Sequence, residues 1–405
     1  MRQRGTPLVA SLIVLLGGSI SPANPTVRLS GIDGSTMTCT FLGATDETVV
    51  VECPERTTLS LDAVHAITIA ATPERPLPTT HAAIVYPSAG GRIRATISGG
   101  SGESVVVDST LGSNINLPLS RLAGVWFRGD ESDSEGRTLF DELMSDRLAG
   151  KDVLVVERDG ELSTIRGGVL SLGPEGGRFM YDRKERAFQL DNLVGIVLAT
   201  GVGGDGHWPA TVRLLDGGEF AGRLRAADDT TMTFAASWGA DVTVPLDALS
   251  DARFRSDRVV YLSDLSPVRT NIAGLLHEPS PVRFDRSVAN FPMSLGGTRY
   301  DRGLGVQART ELVYAIDGAY DSFAATIGID DAVRPRGNVV FRVEGDSRVL
   351  FESGPITGRD VPQPVALDVG GIRELTLVVD YGDGMDLSDQ ADWADARLIE
   401  PPMQE

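Results

Sequence analysis

Six aspartates recur at every third position over residues 380–395: Asp380, Asp383, Asp386, Asp389, Asp392 and Asp395, with Trp393 among them. Carboxylates at that density do one of three things. They hold a hard cation, accept hydrogen bonds from the hydroxyls of a sugar, or stay hydrated on a surface. For a cation, Asp383, Asp386 and Asp389 offer oxygens with backbone carbonyls between them, and calcium takes roughly six to eight oxygens in flexible geometry. For a sugar, Trp393 supplies an aromatic plate, and Arg302, Asp389 and Asp392 supply hydrogen bonds. The alternative for Trp393 is a core position with its indole N–H bonded inside. Asp330, followed by Asp331 after a strand-like run, is a further candidate, because binding loops of a β-sandwich gather at strand ends.

The elements around the stretch are short. The run Leu375 to Val379 reads as a strand entering it, Gly382 and Gly384 oppose a helix through its first half, and an apolar run near Leu398 leaves it. The expectation is a long acidic loop between two strands.

The whole chain is rich in turn residues, with 46 Gly and 22 Pro among 405 residues, which favours many short strands. Its net charge of -19 makes nucleic acid and anionic lipid poor partners. Arg2 and Arg4, the apolar run Leu8 to Ile20 and the small residues Ser21-Pro22-Ala23 read as a signal peptide over 1–23. The expected location is secreted, periplasmic or cell-surface, with no membrane span after cleavage. Cys39 and Cys53 lie in two strand-like runs around a polar turn, so an antiparallel hairpin would join them as a disulfide; two buried thiols are the alternative.

One apolar pattern recurs four times: Leu59, Leu61, Val64, Ile67, Ile69; then Leu117, Leu119, Leu122, Val125, Phe127; then Phe188, Leu190, Leu193, Ile196, Leu198; then Val244, Leu246, Leu249, Ala252, Phe254. The spacings of two are strands showing one face to a core, and the spacings of three are a single tight turn. Asp62, Ser120, Asp191 and Asp247 stand where a side chain would cap that turn. Upstream of each copy lie further strands with glycine turns. The pattern predicts small SH3-like β-barrel repeats over 26–72, 82–129, 137–200 and 208–265. Within the third, Thr138 to Leu148 has the spacing of a helix packed on a barrel. Among the four histidines no two are spaced as metal ligands, and no nucleophile elbow or phosphate-cradling loop occurs.

From about residue 281 the strands lengthen and alternate cleanly, as in Leu312, Tyr314, Ile316 and in Val339, Phe341, Val343. The blocks Tyr300-Asp301-Arg302-Gly303-Leu304-Gly305-Val306, Gly328-Ile329-Asp330-Asp331, Val339 to Asp346 and Asp389-Gln390-Ala391-Asp392-Trp393-Ala394-Asp395-Ala396 resemble the NPCBM/NEW2 family over 281–400. The resemblance implies a galactose-binding-like jelly roll, secreted, often appended to glycoside hydrolases, with a galactose-type sugar as ligand and in many sandwiches of this class a structural calcium. The chain departs from the family at Gln307, where relatives often carry histidine. Taken together, the expectation is an all-β, exported, non-catalytic protein that requires no cofactor and binds a glycan or a glycosylated surface, its repeats acting as spacer or docking platform. The rival readings are a cell-envelope scaffold that docks proteins and a glycan hydrolase using two of the acidic residues.

Overall fold

The computed structural model describes residues 25–69, 83–128, 134–147, 150–199, 208–273, 280–382 and 388–401. The segment 1–23, where a signal peptide is expected, and the aspartates Asp383 and Asp386 lie outside them.

Each repeat is a five-stranded unit whose last strand returns to its first. In the first, Thr26–Gly31, Thr36–Thr45, Thr48–Glu52 and Arg56–Ser60 lead through a 3-10 turn, Leu61–Ala63, to Val64–Ile69, which pairs back with Leu29 opposite Ile67. The same closure joins Leu122–Trp126 to Ala83–Pro87, Leu193–Val197 to Asp152–Arg158 and Leu249–Phe254 to Ala210–Leu214. In the first, second and fourth repeats the expected capping residues Asp62, Ser120 and Asp247 are the middle residues of the turn and not the residues ahead of it. The 3-10 turns of the first, second and fourth repeats are entered from Ser60, Pro118 and Pro245 in extended conformation, with no side-chain cap. At the two prolines the ring itself sets φ, -60° and -61°. Asp62 instead accepts a hydrogen bond from Ser256 Oγ.

The repeats are not beads on linkers. Val64–Ile69 pairs with Leu249–Phe254, placing Ile67 opposite Ala252, and Leu122–Trp126 pairs with Leu193–Val197, placing Val125 opposite Ile196. In both cases the fourth apolar position of the recurring pattern meets its own counterpart. Repeats one and four, and two and three, are thus joined as two pseudo-symmetric pairs, and one continuous apolar core runs through all four. Edge strands that would stand open in isolated units are closed by each other. The disulfide Cys39–Cys53 joins the strand Thr36–Thr45 to the turn that follows Thr48–Glu52 in the first unit, Cα atoms 4.8 Å apart.

The helix runs from Ser134 to Ser145, beginning four residues before the spacing suggests. Phe140 is its buried anchor, packed on Trp126 and Tyr86 with ring centroids 5.4 and 5.7 Å away. Arg137 lies over the rings of Tyr86, Trp126 and Phe140 while pairing with Asp141.

The C-terminal unit is a two-layer antiparallel sandwich of the jelly-roll kind. One layer holds Arg283–Phe284, Gly303–Gln307, Gln390–Ile399, Ser322–Ile329 and Gln363–Asp368, with Val259–Tyr261 also on Gln390–Ile399; the other holds Arg269–Ile272, Thr310–Ala315, Glu374–Tyr381, Asn338–Gly345 and Arg348–Thr357. The unit therefore begins near residue 258 and not at 281. Val259–Tyr261 and Arg269–Ile272 pair with Arg397 to Ile399 and Thr310 to Val313, but strands of three and four residues are too short to show an alternation.

The acidic stretch is corrected too. Asp380 closes the strand Glu374–Tyr381, and Asp392, Trp393 and Asp395 sit in Gln390–Ile399, flanked by strands on both sides. A spacing of three between aspartates hides the strand, because Ala391, Trp393, Ala396 and Leu398 face the core while Asp395, at φ 50°, forms a bulge that shifts the alternation by one.

Candidate functional site

One end of the sandwich collects several of the residues singled out above. Gln307 lies opposite Gln390, Asp330 N–H donates to the Gln390 carbonyl, and Ala308 N–H donates to the Asp389 carbonyl. The Asp389 side chain is buried and its Oδ1 accepts from Asn338 N–H at 2.7 Å. Asp330 is buried as well, accepting from Ala332 N–H and Ser294 N–H. Its neighbour Asp331 holds down the hairpin Met293–Leu295/Thr298–Tyr300, accepting from Ser294 Oγ at 2.6 Å and from the N–H groups of Gly296 and Gly297 at 2.9 and 2.8 Å. Burial pushes the Asp331 carboxyl up, but these bonds and Arg334 outweigh it and hold it below the ordinary carboxylate range.

Asp392 has a different environment. It stands opposite Gly305 on one side and Gly328 on the other. It is fully buried, and neither carboxyl oxygen receives a hydrogen bond from an N–H or hydroxyl donor among the described residues. Burial first, then a hydrogen bond with the Asp330 carboxyl, and then the charges of Asp330 and Asp331 push its pKa well above the ordinary value. An acid in that position is stable only when protonated, so Asp392 is not an exposed acceptor for a ligand.

Two expected ligand groups are elsewhere. Trp393 is 1% exposed and packs between the layers, on Phe323 from one sheet and Phe341 from the other, centroids 6.3 and 5.0 Å away. Its ring is the centre of the core and not a sugar plate. Arg302 is separated from Gln307 by the length of the strand Gly303–Gln307, roughly 15 Å. It pairs with Asp285 and Asp264 and lies over the Tyr261 ring at 4.9 Å. Among the described residues no group of three or more His, Cys, Asp or Glu is placed to hold a metal ion.

Where the sandwich meets the repeats, the structure brings together residues that sequence reasoning did not single out. Asp395 is buried against His65 of the first repeat and Arg253 of the fourth, each 3.3 Å from its Oδ2. Arg397, also buried, donates through Nε and Nη2 to the Ile32 and Gly31 carbonyls of the first repeat, at 2.8 and 3.2 Å. Burial works against the charge on Asp395, but the hydrogen bond from His65 and the charges around it hold its pKa below the ordinary value. Burial, with Arg397 next, pushes His65 down despite Asp395, so the imidazole is neutral and its Nε2–H donates to the carboxylate. No signal in the sequence marks this cluster, since its members are separated by up to 366 residues.

Beside the cluster lie two open clefts, of ≈ 350 Å³ and ≈ 720 Å³. The smaller separates the fourth repeat from the sandwich and is where Arg302 and Tyr261 are placed. The larger separates the first and fourth repeats.

These features describe an all-β protein in which a jelly-roll sandwich is locked onto a fused array of barrel repeats. The sandwich has an assignable family: residues 258–399 match the NPCBM/NEW2 domain, as the sequence blocks suggest. A Renibacterium salmoninarum protein provisionally named endo-alpha-N-acetylgalactosaminidase is 32% identical over 108 residues, 27% of this chain and 7% of that one. The alpha-1,3-galactosidase B of Akkermansia muciniphila is 31% identical over 173 residues, 39% of this chain and 21% of that one. The similarity thus spans under a quarter of either relative's length. Among solved structures, a CBM51 module from a Clostridium perfringens GH95 protein, in complex with methyl-galactose, is 28% identical, covering 35% of this chain and 99% of that one with a TM-score of 0.32.

Proposed function

We propose that this chain is an exported, non-catalytic glycan-binding protein, its sandwich recognising a galactose-type sugar and its repeats presenting that sandwich. The observation that carries the reading is the match of residues 258–399 to the NPCBM/NEW2 domain. The names of the two relatives, both acting on α-linked galactose-type sugars, support the sugar class. Support for a non-catalytic role comes from Asp330 and Asp392, which are buried within the sandwich, whereas a glycosidase sets two carboxyls across a cleft.

We propose a structural calcium ion at the same end of the sandwich. Asn338 Oδ1 and Gln390 Oε1 are buried acceptors without a hydrogen-bond partner among the described residues. Asp389 is joined to the first through Asn338 N–H and precedes the second in sequence. These are the hard oxygen ligands calcium takes, and with the ion bound they would fix the loop end; Asp383 and Asp386 are the further ligands the sequence offers.

The test is a glycan array probed with the full chain, with calcium and with chelator. Binding to a coherent set of galactose-terminated glycans supports the reading. The second reading, an envelope scaffold that docks proteins and has lost sugar binding, draws on the burial of Trp393, which leaves the loop end without that aromatic plate. Silence of the folded chain across the array under both conditions would favour it.

A further inference from the structure

The third repeat departs from the others at the end of one hairpin. Its strands Gly176–Tyr181 and Lys184–Gln189 set Phe179 opposite Arg186 and Tyr181 opposite Lys184, and residues directly opposite share a face. Phe179 is buried in the core common to the repeats. In the fourth repeat the recurring pattern has Val242 at the place of Arg186, opposite Phe234, and Ala236 at the place of Tyr181; both are buried. The second repeat has Ile115 at the place of Arg186, packed on the core. In the third the apolar closure gives way to an exposed face. Tyr181 is 49% exposed, and Lys184 and Arg186 are exposed and make no ion pair among the described residues. The turn between the strands is Asp182-Arg183, both at positive φ, 47° and 61°. Such a turn favours glycine at its second position, so Arg183 adds a third exposed cation against the local backbone preference. The other face of the hairpin differs, since Arg178 there is paired with Glu185 at 2.8 Å.

We infer that this hairpin end is a binding site for the terminal acidic sugar of a glycan, one that bears a carboxylate or a sulfate. The inference rests on the glycan-binding reading and adds to it a second site, on the repeats. Three unpaired cations on one hairpin end select an anion, and charge decides its size. A long polyanion would run off the hairpin onto the surface of a chain whose net charge is -19 and be repelled. A stable protein partner buries roughly 20–30 residues a side, whereas the cationic face is confined to Tyr181, Arg183, Lys184 and Arg186. One acid group at the end of a glycan meets neither obstacle. It takes the charge-assisted hydrogen bonds of Lys184 and Arg186, while Tyr181 offers its ring an apolar surface and a hydroxyl. Cross-strand neighbours stand roughly 5 Å apart and diagonal ones roughly 7–8 Å, which puts both cations within reach of a sugar lying on Tyr181.

The test titrates the full chain calorimetrically with a galactose-terminated trisaccharide, with the same trisaccharide capped by a carboxylated sugar or 3-O-sulfated, and with a hexa-aspartate peptide. The acidic glycans should bind about tenfold or more tighter than the neutral one, an advantage that salt reduces. Lys184→Ala, Arg186→Ala and Arg183→Gly should each remove about tenfold of that affinity and leave the neutral glycan unaffected. All three side chains are exposed, and Asp-Gly is a favoured turn, so the variants should keep the parent melting temperature. If the neutral glycan binds and the acidic ones bind no tighter, or the variants bind them as the parent does, the hairpin site is overturned and the galactose reading stands. If only the acidic glycans bind and the variants lose them, the hairpin site stands and the galactose reading falls. Hexa-aspartate binding as tightly as the acidic glycans, through the same residues, overturns the site in favour of an acidic protein segment. If the folded chain binds none of these probes, both fall.

Discussion

His65 Nε2 lies 3.3 Å from Asp395 Oδ2, although 330 residues separate them. The bond ties the first repeat to the middle of the strand Gln390–Ile399 in the sandwich, and Arg253 completes the triad from the fourth repeat. Three distant parts of the chain therefore depend on one buried carboxylate.

Removing that carboxylate leaves the His65 Nε2–H without its acceptor and takes a counter-charge from the buried Arg397 and from Arg253, which retains its ion pair with Asp251. Asp395→Ala should cost about 3–5 kcal/mol, the usual result of breaking a buried ion pair from one side. Chemical denaturation should show this, together with earlier proteolysis between the repeats and the sandwich. An unchanged midpoint would mean that the cluster contributes nothing to docking.

The same cluster predicts a pH dependence. His65 has a folded pKa below its ordinary 6.5, so the unfolded state takes up its proton first as pH falls. Stability should therefore decline once pH drops through about 6.5. His65→Gln should flatten that limb of the curve. Asp395, whose pKa is also depressed, acts lower down: its contribution is present above the ordinary carboxylate range and is lost only at more acidic pH.

Asp392 has the opposite sign. With its folded pKa raised, its contribution is full below the ordinary value of 3.8 and is lost as pH rises through the folded value. Asp392→Asn, which keeps the shape and removes the ionisation, should raise the melting temperature at pH 7–8. The gain should shrink towards pH 4. A variant less stable than the parent at both pH values would show that the acid has a partner that Asn cannot replace.

Trp393→Ala should lose about 3–5 kcal/mol and unfold the sandwich, as expected for emptying the largest site of a core. Circular dichroism melting of the full chain would report it. A variant that keeps its melting temperature and loses only sugar affinity would reinstate the tryptophan as a ligand.

The disulfide closes a separation of 14 residues, for which the loop-entropy argument gives about 3 kcal/mol. Reduction, or the pair Cys39→Ser and Cys53→Ser, should lower the melting temperature by roughly that equivalent. Because the first repeat shares its core with the other three, the loss should appear in the transition of the whole repeat array.

Local order is legible in the residues themselves. The apolar spacing of the four copies is a strand, a tight turn and a strand wherever it occurs, because periods of two and three map onto backbone geometry within a few residues. The sandwich is legible for the same reason, and its NPCBM/NEW2 blocks lie in strands and turns that those residues shape locally. The acidic stretch is not, because the bulge at Asp395 breaks the period that would have revealed a strand.

What only the tertiary structure decided is how the pieces close on each other. Nothing in the sequence says that Ile67 meets Ala252, that Val125 meets Ile196, that Trp393 lies between Phe323 and Phe341, or that Asp395 is paired with His65 and Arg253. The sequence by itself determined the strands, the turns and the family of the C-terminal unit, since those follow from side chains a few positions apart. The fate of each aspartate depends on long-range burial and on which charges arrive from other units, and these are properties of the assembled fold.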